Sequence, residues 1–110
     1  MATQPKEVVT SKNYETHLIE ILGYSIEAFG HIQARNYFNK ISQGVEKLDR
    51  HYLIHSECRH IRTKSQMYRN IILDAHLIIY RVTKERIEVL DIVHSSSSVS
   101  KIRSTRSIQI

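Results

Sequence analysis

The spacing of apolar residues along this chain changes twice, and the changes divide it into helical, irregular and strand-like parts. The β-branched run "KEVVTS" predicts a first strand, with Thr10 or Ser11 as the natural N-cap of a helix directly after it. From there Tyr14, Leu18, Ile21, Leu22, Ile26 and Phe29 recur at helical spacing, and Lys12, Glu15, Glu20 and Glu27 fall mostly between them. Gly30 then sits where a left-handed helix terminus needs a residue without Cβ. A second helix starts at once, because Ala34, Phe38, Ile41, Val45 and Leu48 advance by four, three, four and three. Two helices with one apolar stripe each and almost no linker make an antiparallel hairpin, which needs another apolar surface to cover it.

After Leu48 the stretch "DRHYLIHSECRHIRTKSQ" is polar and histidine-rich, and it reads as a loop with at most one short strand. Three runs dense in Ile, Val, Leu and Tyr come next: "MYRNIILD", "HLIIYRVT" and "RIEVLDIVH". The dipeptides "DA" and "KE" between them suit tight antiparallel connections, so the runs predict a β-meander. Apolar residues occupy both parities, Leu77 and Ile79 on one and Ile78 and Tyr80 on the other. The middle strands are therefore covered on both faces, one by the helical hairpin and the other partly open. The end, "SSSSVSKIRSTRSIQI", predicts a short helix through Val99 and Ile102 and then disorder. The predicted class is α+β: an N-terminal strand and an antiparallel helical hairpin packed on an antiparallel meander, with a short C-terminal helix. One domain spans residues 1–110, with its core at about 6–103.

Composition narrows the setting. The hydrophobic fraction of 41% and charged fraction of 25% are those of an ordinary water-soluble domain. No apolar run approaches the roughly 18 residues that cross a bilayer, and "MATQPKEVVT" lacks an apolar export segment, so the cytosol is expected. The single cysteine, Cys58, forms no internal disulfide, which agrees with a reducing compartment. The net charge of +5 is uneven: residues 1–50 hold six Lys/Arg against six Asp/Glu, and residues 51–110 hold ten against five. Such an excess steers a protein toward phosphates or toward an acidic partner.

The order of these parts resembles the RelE/ParE superfamily of bacterial toxins from toxin-antitoxin, or plasmid-stabilisation, modules. "YETHLIEILGYSIEAFGHIQARNYFNKISQGVEKL" looks like the first two helices of that family, and "YRNIILDAHLIIYRVTKERIEVLDIVHSS" looks like its sheet, closing on His94. The closing register is nearer to ParE-like members. Ser95, Ser97 and Ser98 stand where the family usually has Gly, Arg and Asp, and its usual loop Pro and Gly are absent from "HYLIHSECRH". The resemblance implies a growth-inhibiting toxin held by a cognate antitoxin in a hetero-oligomer. It also implies a target, DNA gyrase if ParE-like, or ribosome-bound mRNA cut by an endoribonuclease if RelE-like. A small basic nucleic-acid-binding module is a further reading, although an aromatic content of 7% offers few stacking platforms.

Cleaving RNA without a metal needs an acid, a base and a fixed cation. A histidine side chain can serve as acid or base and an arginine fork suits phosphate, so His94 and Arg69 are the catalytic candidates for the RelE-like reading. His60, Arg62, Lys64, Arg69 and Arg81 are the candidates for holding a nucleic acid or another target. The duller alternatives are solvated or acid-paired arginines and a histidine that closes a strand. His51, His55, Cys58 and His60 are residue types that zinc accepts, yet they lack the repeated close spacing of structural sites. No metal or other cofactor is expected. The serine run has no base placed to activate it and reads as a solvated connector.

Overall fold

A computed structural model describes residues 4–110. In chain order it contains β1 (Glu7–Thr10), α1 (Lys12–Phe29), α2 (His31–Glu46), α3 (Leu48–His51), β2 (Tyr68–Ile72), β3 (His76–Val82), β4 (Arg86–His94) and α4 (Val99–Ser104), then a 3-10 turn at Thr105–Ser107. The strands form one sheet in the order β1-β4-β3-β2. The last three make the expected antiparallel meander, whereas β1 lies parallel to β4, with Glu7 opposite Arg86 and Thr10 opposite Val89.

Local chemistry explains the hairpin. Ser11 caps α1 by accepting the Tyr14 N–H at 2.9 Å, and its own hydroxyl donates to the Leu90 carbonyl of β4. That one side chain therefore sets where the helix begins and ties it to the sheet. Gly30 separates the helices at φ +86°, a left-handed conformation costly for any residue with a Cβ, and its N–H bonds the Ile26 carbonyl at 2.9 Å. After α2 the chain departs from the predicted loop: α3 adds a helical turn, with Leu48 and Tyr52 both buried. The apolar stripe of α2 in fact continues in step, four, three and four residues on, from Ile41 through Val45 and Leu48 to Tyr52. Polar neighbours on both sides conceal that last step in the sequence.

Two cores result, one on each face of the sheet. Beneath the hairpin, Ile78, Tyr80, Ile87, Val89 and Ile92 meet Tyr14, Ile41, Val45 and Leu48. On the opposite face Ile79, Leu90 and Val93 meet Cys58 and Ile61 from the 52–67 segment and Ile102 from α4. The second face is thus closed where a partly open one was expected. We call its cover the roof. Past residue 103 the chain continues along this face, with Ile108 packed against the second core.

An irregularity in β4 lets both cores fill. Ile79 stands opposite Asp91 while Tyr80 stands opposite Val89, so Leu90 is one residue too many, a β-bulge. Past the bulge the alternation resumes with Ile92 under the hairpin and Val93 under the roof. Asp91 is turned toward α1, where its Oδ1 lies 2.6 Å from His17 Nδ1 and accepts the Ile92 N–H at 2.8 Å.

Candidate functional site

The basic residues singled out by the sequence fall into three environments. Arg69, on β2, stands opposite Tyr80, so it projects on the hairpin side of the sheet. Its guanidinium donates to the carbonyls of Gln66 at 3.2 Å and His55 at 2.8 Å, and more weakly to that of Leu53 at 3.4 Å. The Tyr80 hydroxyl donates to the Tyr52 carbonyl at 2.7 Å nearby. Arg69 thus holds both ends of the irregular segment against β2, and Tyr80 ties its start to β3. Burial pushes the Tyr80 phenol well up, with the Arg69 charge working weakly against it.

Arg81 projects on the other face, opposite Tyr68. Its Nε and Nη2 both reach Glu88 Oε1 at 2.7 Å, and Arg86 grips Oε2 from Nε at 2.9 Å and from Nη2 at 2.7 Å. The remaining Arg81 donors reach the carbonyls of Arg106 and Ile108, each at 3.2 Å. Burial works to raise the Glu88 carboxyl, but the bonds and charges of the two guanidiniums outweigh it, so the group lies below the usual carboxylate range. Arg81 is therefore a strap for the C-terminal segment, and its donors are taken. The sequence reading of Arg69 and Arg81 as free phosphate or target contacts changes accordingly: each guanidinium is engaged by carbonyl or carboxylate oxygens of its own chain.

His94 lies at the opposite end of the sheet from Arg69. It pairs with His76, whereas Arg69 pairs with Tyr80 four residues along β3, roughly 13 Å at strand spacing. The structure does not bring the proposed catalytic pair together. His94 is exposed, and its Nδ1 accepts from the Ser96 hydroxyl at 2.6 Å and the Ser96 N–H at 3.1 Å. Its ring stands 5.5 Å from that of His76, whose Nδ1 meets the Tyr37 hydroxyl at 2.7 Å. Burial, with the neighbouring His94, pushes His76 below the ordinary histidine value. The serine run has local work: Ser97 N–H closes a turn on the His94 carbonyl, and the Ser98 hydroxyl accepts the Lys101 N–H as N-cap of α4.

His60, Arg62 and Lys64 remain on the roof. Arg62 and Lys64 are exposed, and the His60 carbonyl accepts from Arg103 Nε at 3.2 Å, which joins the loop to α4. Residues 56–58 run along the outer edge of β2, with Cys58 N–H bonding the Tyr68 carbonyl at 2.9 Å and Asn70 N–H the Ser56 carbonyl at 3.1 Å. Cys58 is buried in the second core, and among the described residues no three His, Cys, Asp or Glu side chains gather as a metal-binding group. The same segment thus closes a sheet edge and presents cations outward. Sequence reasoning passed over Arg59 within the loop, and it missed Lys101, Arg103 and Arg106, which become neighbours of the loop only when the C-terminal segment folds onto the second face.

A first strand paired beside the last, a helical hairpin on one face and a closing strand that runs into a short helix are the architecture of RelE/ParE-class toxins. A chain of the chromosomal ParDE toxin-antitoxin system from P. aeruginosa shares the fold at a TM-score of 0.68 and 16% identity, covering 84% of this chain and 98% of that one. The model of the family described as "ParE toxin of type II toxin-antitoxin system, parDE" matches residues 8–99, and this chain belongs to that family. Among curated proteins, none matches the sequence. Among the described residues, no helix is long and apolar enough to cross a membrane.

Proposed function

We propose that this toxin arrests growth in the cytoplasm by binding a macromolecular target, DNA gyrase, rather than by cutting RNA, and that a cognate antitoxin neutralises it in a hetero-oligomer. The observation that carries the choice is the separation of Arg69 from His94. Acid–base cleavage of a phosphodiester needs its acid, base and cation within reach of one phosphate. Here the two candidates lie on the strands either side of β3, paired with residues four positions apart along it, and Arg69 is engaged by backbone carbonyls. The match to the ParE toxin family supports the same reading.

Exposed apolar side chains on the hairpin, Ile19, Tyr24, Phe29 and Ile32, supply the kind of surface that a protein partner covers. A supercoiling assay with purified gyrase tests the target. Inhibition that the co-purified antitoxin relieves is expected; unchanged supercoiling at large toxin excess removes gyrase. Primer extension on translated messages after induction tests the rival, and new 5′ ends that disappear in His94→Ala would replace this reading with ribosome-dependent cleavage.

A further inference from the structure

The charge of this chain is concentrated in the roof. The segment between α3 and β2, residues 52–67, and the C-terminal residues 99–110 together hold six of the sixteen Lys/Arg and one of the eleven Asp/Glu. Their net charge of +5 equals that of the entire chain, so everything else sums to zero. Arg59, Arg62, Lys64, Lys101, Arg103 and Arg106 are all exposed. The two segments lie together because Cys58, Ile61, Ile102 and Ile108 share one core and Arg103 Nε bonds the His60 carbonyl. Among the described residues none of the six cations forms an ion pair, and the lone acid, Glu57, has an oxygen bonded to the Thr63 N–H at 3.0 Å.

From this we infer that the roof is a binding surface for the phosphate backbone of a nucleic-acid duplex, a function separate from the protein-target reading above. The exposed hydroxyls of Ser65 and Ser100 stand among the cations, and hydroxyls and cations are the groups that contact phosphate oxygens, whereas Ser104 and Ser107 donate theirs to the carbonyls of Lys101 and Ser104. A protein interface needs buried apolar or aromatic anchors at its centre; the exposed aromatics, Tyr24 and Phe29, lie on the hairpin with Ile19 and Ile32, whereas the exposed apolar residues of the roof segments, Leu53, Ile54, Val99 and Ile110, are aliphatic and stand at the ends of those segments rather than among the cations. A single strand is held by stacking on exposed aromatics, and the roof exposes none; Tyr68 is half-buried beneath the Arg81 guanidinium. What remains is a cationic surface with no base-reading element, which suits sequence-independent contact with regularly spaced phosphates.

Fluorescence anisotropy with 20-base-pair DNA and RNA duplexes of arbitrary sequence, at salt from 50 to 200 mM, tests the inference on the full chain. Binding should weaken steeply with salt, with a logarithmic slope of about −0.9 for each phosphate neutralised on B-DNA. The combined variant Arg62→Gln, Lys64→Gln, Lys101→Gln and Arg106→Gln should weaken binding about tenfold or more at 50 mM salt and flatten that slope. A charge-matched control on the hairpin, Lys12→Gln, Arg35→Gln, Lys40→Gln and Lys47→Gln, should leave both nearly unchanged. Should the roof variant fail to fold by circular dichroism, the pair Arg62→Gln and Lys64→Gln is read in its place. Absent binding at 50 mM salt overturns the inference, as does an equal loss in the control. Tighter binding of polyglutamate than of either duplex overturns it in favour of an acidic polypeptide. None of these readouts involves gyrase, so this inference and the target reading fail separately.

Discussion

One sheet carries two covers built on different physics. The hairpin covers its face with regularly spaced apolar side chains from α1 and α2, whose stripes are continuous and whose backbone bonds are satisfied within each helix. The roof is mostly irregular, and its few apolar anchors, Cys58, Ile61, Ile102 and Ile108, are scattered among charged residues. What fixes it is a set of arginines bonded to main-chain carbonyls: Arg69 to those of Leu53, His55 and Gln66, Arg81 to Arg106 and Ile108, and Arg103 to His60. A regular element satisfies its own carbonyls, whereas an irregular one borrows donors. The comparison teaches that an arginine in a basic segment can be a backbone brace rather than a ligand contact.

The difference can be broken by mutation at several strengths. Ile78→Ala, in the fully buried hairpin core, should cost about 4 kcal/mol and lower the denaturation midpoint of the domain as a whole. Glu88→Gln leaves Arg81 and Arg86 side by side without their shared carboxylate, and should cost about 3 kcal/mol in the same denaturation experiment. Because the Glu88 carboxyl lies below its ordinary value in the fold, its contribution is present above the unfolded carboxylate range and is lost as pH falls through the folded value. Wild type should therefore lose stability in acid more steeply than Glu88→Gln.

Ile102→Ala should cost less than Ile78→Ala, about 2 kcal/mol, because a short terminal segment can settle into the gap. Hydrogen exchange should show the loss confined to the roof, with the Ile102 and Ile108 amides losing protection while those of β3 keep theirs. An equal cost at both sites would erase the distinction between the covers. The smallest effect is at His76, at the hairpin end of the sheet. Its folded value is depressed, so its share of stability is present above about pH 6.5 and is lost as pH falls through the folded value. Thermal melts from pH 8 to pH 5 should fall by less than about 1 kcal/mol on this account, and His76→Gln should flatten part of the fall.

The hairpin and meander were legible in the sequence because periodic burial leaves a periodic record: the predicted Tyr14 and Ile41 of the helices and Ile78 and Tyr80 of the sheet are all buried. The turn at α3 was hidden because its anchor, Tyr52, stands among histidines and arginines. The roof was illegible for a deeper reason. Ile61 and Ile102 each sit alone in polar surroundings, and only the fold makes them neighbours. The site divides in the same way. Arg62 and Lys64 do stand exposed in the loop, as their composition implied, but a guanidinium bound to a carbonyl and one awaiting a phosphate are written with the same letter. Nothing local to Arg69 or Arg81 tells them apart. Ser98 was open to discovery, since a serine directly before an apolar helical residue is a capping signal.

The parallel pairing of β1 with β4 has a consequence for the order of events during synthesis. β1 has no other neighbour in the sheet, and the cap of α1 bonds to Leu90. At ordinary rates of translation, Glu7 leaves the ribosome on the order of ten seconds before Arg86, the residue it will lie beside. Through that interval the helices have no finished sheet to rest on. The sheet therefore closes in one late step, when β4 arrives to seat itself between the oldest strand and β3, and the second face is covered only after that, once residues 99–110 have followed.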